Sequence, residues 1–107
     1  MILVIGGAFQ GKTEFAKSRF CADEAEIFNA FHLKIRETMK NGGDISAVTE
    51  SAKKFKIVIS DEVGSGIIPL DKFDRDWRET VGRELCKIAA CADEVWRVSC
   101  GMGQKIK

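Results

Sequence analysis

Apolar residues occur in this chain in two alternating rhythms. Residues 2–5, ILVI, are aliphatic without interruption, the pattern of a strand buried on both faces. A helix is expected from Gly11 to about Phe20. The stretch 26–31, EIFNAF, reads as a second strand. Phe31, Ile35 and Met39 then recur at a spacing of four, which predicts a helix that NGG at 41–43 ends. Asp44 is placed to cap another helix with Ile45, Val48, Ala52 and Phe55 on one face. KIVIS at 56–60 predicts a third strand. Residues 63–70, VGSGIIPL, hold two glycines and the only proline and read as a loop. A long helix follows, striped by Phe73, Trp77, Val81, Leu85, Ile88 and Ala89. Its wetter side offers Asp71–Arg75, Asp74–Arg78 and Glu79–Arg83 at i,i+4. EVWRVSC at 94–100 predicts a fourth strand, and the tail GMGQKIK reads as loop. Strands alternating with helices imply an α/β fold with a mostly parallel sheet.

Length and composition narrow the picture. The 107 residues suit a single domain, taken as 1–107. With 45% hydrophobic and 31% charged residues, the chain has an ordinary globular composition. A net charge of +1 with interleaved signs gives no electrostatic case for a nucleic-acid partner. The start lacks a basic region before its short apolar run, so no signal peptide is read, and no stretch approaches the roughly 18 apolar residues of a membrane span. A cytoplasmic protein is therefore expected. Cys21, Cys86, Cys91 and Cys100 form no CxxC pair and lie far in sequence from His32, the only histidine, so a zinc site is not expected. They read as reduced thiols, with Cys86 and Cys91 packed inside a helix.

The glycines near the start carry the chemistry. Gly6, Gly7, Ala8, Phe9, Gln10, Gly11, Lys12 and Thr13 satisfy G-x-x-x-x-G-K-[ST], the phosphate-binding loop. Its context fits, with a buried-strand pattern before it and a helical stretch after it. Such a loop turns successive backbone N–H groups toward a phosphate, and the following helix adds the positive end of its dipole. Lys12 supplies a charge for the β and γ phosphates, and the Thr13 hydroxyl can ligate Mg²⁺. A loop of this kind reads phosphates, so ATP and GTP stay equally open. Asp61 and Glu62 follow the third strand, where an acidic residue serves the metal or acts as base. Sequence does not divide those two roles between them. His32 follows the second strand, with Arg36 one helical turn later. A lone histidine is more often structural than catalytic, and Trp77 and Trp96 read as core or interface residues.

Two further stretches, DEVGSGIIP at 61–69 and RETVGRELCKIAACADEVWRVSCGMGQKIK at 78–107, join ILVIGGAFQGKTEFAKSRF at the start in a resemblance. Together they resemble the adenosylcobinamide kinase / adenosylcobinamide-phosphate guanylyltransferase family. The EVGSGIIP segment is the specific part, since many families share the phosphate loop. The resemblance implies a P-loop α/β fold and a homo-oligomer, a trimer in that family. It implies phosphorylation of adenosylcobinamide with GTP or ATP and Mg²⁺, and GMP transfer through a guanylylated histidine. His32 is the only candidate for that carrier, with Asp61 and Glu62 as catalytic or metal-binding carboxylates and Val63–Pro69 bordering the acceptor. Residues 21–60 are shorter than the matching part of the family. A competing expectation is a nucleotide-binding switch or interaction module without catalysis, its Arg78 and Arg83 at a subunit interface. The acidic pair at 61–62 favours the enzyme.

Overall fold

A computed structural model describes residues 1–64 and 71–107. Strand β1 (Ile2–Gly6) runs into the glycine loop and helix α1 (Lys12–Phe20). A short 3-10 turn (Glu24–Glu26) leads to β2 (Ile27–Phe28), then α2 (Phe31–Lys40), α3 (Ile45–Ala52) and β3 (Ile57–Asp61). Helix α4 (Lys72–Cys91), β4 (Glu94–Ser99) and β5 (Met102–Lys105) complete the order. The sheet runs β2-β3-β1-β4-β5. Its first four strands are parallel and β5 is antiparallel to β4. The expected α/β fold is thus observed, with β1 at the centre and its glycine loop at the carboxyl edge where parallel sheets bind ligands.

Alternation along the strands divides the core between the two faces of the sheet. Leu3, Val58 and Val95 pack with Phe31 and Ile35 of α2, Ala52 of α3, and Val81 and Ile88 of α4. Val4, Ile57, Ile59 and Val98 pack on the other face with Ala16 of α1. Asp44 caps α3 through Ala47 N–H, as its position predicted. Asp71 caps α4 through the N–H groups of Phe73 and Asp74. Of the three predicted pairs on α4, Glu79–Arg83 forms at 2.9 Å. Asp71 spends its carboxylate on the cap, and Asp74 pairs instead with Arg36 across the helix contact at 2.7 Å.

Three expectations need correction. The second strand is only Ile27–Phe28, because Ala30 turns left-handed (φ 53°) and Phe31 already begins α2. The tail is no loop: Cys100 (φ 51°) and Gly101 (φ 76°) form a two-residue turn that pairs β5 with β4. Cys86 and Cys91 lie on α4 but are exposed, since they fall off its apolar stripe. The tryptophans, read as core or interface residues, do pack within the chain. Trp96 packs against Phe15 and Phe20, and Trp77 donates its indole N–H to the His32 carbonyl at 2.8 Å. Among the described residues no helix is long and apolar enough to cross a membrane.

Candidate functional site

The loop Gly6–Thr13 joins the central strand to α1 through backbone that side chains would obstruct. A Cβ on Gly6 would collide with the Val98 carbonyl oxygen, so only glycine lets the loop cross β4. Gly11 is left-handed (φ 84°), and its open side lies against Gly101. The β4–β5 turn braces the loop from outside. Cys100 N–H donates to the Gln10 side chain at 2.7 Å, and Gly101 N–H to the Gln10 carbonyl at 2.8 Å. The tail therefore supports the glycine loop, a role that its composition did not signal.

Lys12 is buried at the start of α1, and its ammonium is held from two sides. It donates to the Gly7 carbonyl at 2.6 Å and pairs with Asp61 Oδ1 at 2.7 Å. The other Asp61 oxygen, Oδ2, lies 3.3 Å from His32 Nε2. His32 Nδ1 accepts the backbone N–H of Asp61 at 3.1 Å. That bond assigns the ring proton to Nε2, facing the carboxylate. Burial disfavours the imidazolium most, and the positive charge of Lys12 adds to it; Asp61 opposes both, and the net result holds the His32 pKa below its ordinary value. Lys12, Asp61 and His32 thus form one chain of contacts below the loop.

These residues line a cleft of about 240 Å³ with Phe9, Thr13, Glu14, Asn29 and Ala30. Phe9 (φ 59°) and Ala30 (φ 53°), both lining it, are left-handed without being glycine. Strain of this kind is common at ligand clamps. Phe9 projects fully into solvent.

The structure separates the two carboxylates that the sequence left together. Asp61 faces the cleft. Glu62, one residue on, turns away and takes Arg97 in a two-pronged pair (Nη2 to Oε1 2.8 Å, Nε to Oε1 3.1 Å). Arg36 is also removed from the site. It pairs with Asp74 and stacks over Trp77 and Phe73, 4.7 and 5.1 Å from the ring centroids. The predicted acceptor border at 63–69 falls largely outside the described residues.

Among the described residues no group of three or more His, Cys, Asp or Glu could hold a metal ion. A triphosphate-bound Mg²⁺ asks less of the protein, one hydroxyl and one carboxylate beside phosphate oxygens and water. Thr13 and Asp61 line the same cleft and fit that demand.

Residues 23–106 match the family model described as cobinamide kinase / cobinamide phosphate guanyltransferase. The chain belongs to this family. It is 45% identical over 51 residues to the bifunctional adenosylcobalamin biosynthesis protein CobU of Salmonella typhimurium. It is 43% identical over 51 residues to the protein of the same name from Escherichia coli. Each match covers 48% of this chain and 28% of the relative. The family match begins after the phosphate loop, so the loop and the family are two separate lines of observation.

Proposed function

We propose that this chain is a nucleoside-triphosphate-dependent kinase of the cobinamide family, phosphorylating a hydroxyl of adenosylcobinamide with ATP or GTP. The observation that carries the reading is the contact chain Lys12–Asp61–His32 beneath a complete phosphate loop. Family membership points to the acceptor, and the relatives' printed names point to adenosylcobalamin biosynthesis.

In this reading the loop N–H groups and the α1 dipole hold the triphosphate, and Lys12 neutralises charge on the β and γ oxygens. Asp61 keeps the Lys12 ammonium aimed into the cleft. Magnesium, held by Thr13 and Asp61, would supply further neutralisation along the phosphate chain. The acceptor hydroxyl oxygen bonds to the γ-phosphorus as the bond from that phosphorus to the β–γ bridging oxygen breaks. A nucleoside diphosphate leaves, and the hydroxyl proton goes to solvent. Positioning and charge do most of the work in such a transfer.

His32 is the only imidazole, but its geometry supports a positioning role above that of a GMP carrier. A carrier attacks phosphorus with a free ring lone pair. Here Nδ1 is occupied by the Asp61 N–H, and Nε2 presents its proton to Asp61 Oδ2.

The test is turnover of purified chain with cobinamide, Mg²⁺ and ATP or GTP. Wild type should form cobinamide phosphate and nucleoside diphosphate, and Lys12→Ala should lower the rate at least about 100-fold. A wild type that binds nucleotide without phosphorylating cobinamide would favour the non-catalytic module. An unimpaired Lys12→Ala would remove the loop from the chemistry.

A further inference from the structure

A second pocket, of about 370 Å³, opens beside the phosphate cleft. It is lined by Gly11, Glu14, Phe15, Ser18, Arg19 and Gly101. The two share Gly11 and Glu14, so they meet over the first turn of α1. Its size falls within the range of about 300–1,000 Å³ usual for small-molecule sites.

The polarity of a loop-bound triphosphate decides which neighbouring space the nucleoside enters. Lys12 reaches the β and γ phosphates, so the γ end lies at the Lys12–Asp61 pair. The α end, and the sugar attached to it, points away from that pair. The second pocket contains none of Lys12, Asp61 and His32, which fits the nucleoside end. A third space, lined by Thr13, Lys17, Glu24, Ile27 and Asn29, also borders the cleft. Its charges are already spent on the Lys17–Glu24 pair at 3.0 Å, and it offers no aromatic or guanidinium surface to a base.

The second pocket does offer such a surface. Arg19 is exposed, and its guanidinium lies over two rings, 5.3 Å from the Trp96 centroid and 5.5 Å from that of Phe20. A guanidinium placed beside aromatic rings can also offer a face to a nucleobase. Gly101 contributes backbone without a side chain, and open space lies where its Cβ would be. The Glu14 carboxylate makes no hydrogen bond or ion pair among the described residues, which leaves it free for sugar hydroxyls.

We propose that this second pocket holds the nucleoside half of the triphosphate, with the base stacked on Arg19 and the sugar beside Glu14 and Ser18. The proposal rests on the nucleotide reading above and deepens it. It assigns Arg19 and Ser18, which lie outside the phosphate-loop motif, to binding of a ribonucleoside triphosphate.

The test compares binding of GTP and ATP with binding of inorganic tripolyphosphate, which carries the charge without a nucleoside. Calorimetry on the whole chain reads all three. Arg19→Ala should weaken nucleotide binding about tenfold or more and leave tripolyphosphate within about twofold. Ser18→Phe, on an exposed helix position, should do the same by filling the pocket, and it leaves the Arg19 stack in place. Lys12→Ala should weaken all three ligands. Unchanged nucleotide affinity in both pocket variants, or a parallel loss of tripolyphosphate, would overturn the proposal. So would a wild type that binds tripolyphosphate as tightly as GTP and ATP, while leaving the phosphate loop intact as a site. A wild type that binds none of them defeats the loop reading itself.

Discussion

Asp61 and Glu62 are adjacent in sequence but face opposite sides of the sheet: Asp61 pairs with Lys12 at 2.7 Å in the phosphate cleft, and Glu62 with Arg97 at 2.8 Å away from it. Strand periodicity causes the split, since successive side chains alternate faces. The two carboxylates should therefore behave differently. Asp61→Asn should lower cobinamide phosphorylation at least about 100-fold, because it frees Lys12 and removes the carboxylate proposed for the metal. Glu62→Gln should change the rate less than about threefold. Its stability cost should stay below about 1 kcal/mol, because the Arg97 pair is partly solvated. Rates measured side by side decide this, and the opposite ranking would reverse the assignment.

In the proposed reading His32 acts by holding Asp61, which it touches through both ring nitrogens. His32→Ala leaves the Asp61 N–H without its acceptor, at a cost of about 1–3 kcal/mol. Loss of such an orienting group should lower the rate about 10- to 100-fold. His32→Asn keeps an acceptor on a shorter side chain and should recover part of both. Incubation with GTP and Mg²⁺ should leave the mass of the wild-type chain unchanged. A mass increase of one GMP, absent from His32→Ala, would make His32 a carrier after all.

Part of this was readable along the chain and part was not. The G-x-x-x-x-G-K-[ST] pattern is legible because it occupies eight consecutive positions, Gly6–Thr13. The helices were legible from their apolar spacing and from Asp44 at a cap. Contacts made at long sequence separation were not. Nothing local to His32 or Asp61 says that residues 29 apart share two contacts. Nor does EVWRVSC announce that Arg97 captures Glu62. Strand β5 has no sequence signal because Met102, Gly103, Gln104 and Lys105 carry no apolar alternation, so their register comes from the turn at Cys100–Gly101. Nor does the position of Arg36, one turn after His32, announce that Asp74, 38 residues away, holds it.

Stability should also depend on pH through a group remote from the cleft. Glu84 is buried on α4, where it accepts from Thr49 Oγ1 at 2.7 Å and pairs with Lys87 at 2.8 Å. Burial alone would raise its carboxyl pKa. The hydrogen bonds from Lys87 and Thr49, with the charges of Lys87 and Arg83, outweigh that, and the net direction is down from 4.5. A depressed carboxyl stabilises the fold above its unfolded pKa, and that contribution disappears as pH falls through the folded value. Urea denaturation should therefore show stability falling below about pH 4.5, with a shallower slope in Glu84→Gln. Thr49→Val should cost about 1–3 kcal/mol near neutrality by leaving a buried carboxylate oxygen unpaired. Parallel slopes in wild type and Glu84→Gln would remove Glu84 from the acid response.

The β4–β5 hairpin that braces Gln10 is itself tightly seated against α1. Gly103 lies on β5 directly under Phe15, and a Cβ there would run into the ring. Phe15 cannot withdraw freely, because it packs 5.5 Å from Trp96 and 6.1 Å from Phe20, centroid to centroid. Gly103→Val should therefore push β5 away from α1 and cost about 1–3 kcal/mol, the usual scale of overpacking. The shift should spread to the turn, where Cys100 and Gly101 hold Gln10 of the phosphate loop. Tripolyphosphate affinity should fall as well, although Gly103 lines neither the cleft nor the second pocket. Gln10→Ala cuts one of the two bonds from the turn without disturbing Phe15. It should weaken tripolyphosphate with little change in stability, since Gln10 lies at the surface end of the brace. A Gly103→Val chain that loses stability but binds tripolyphosphate like wild type would show that the tail hairpin serves the fold alone.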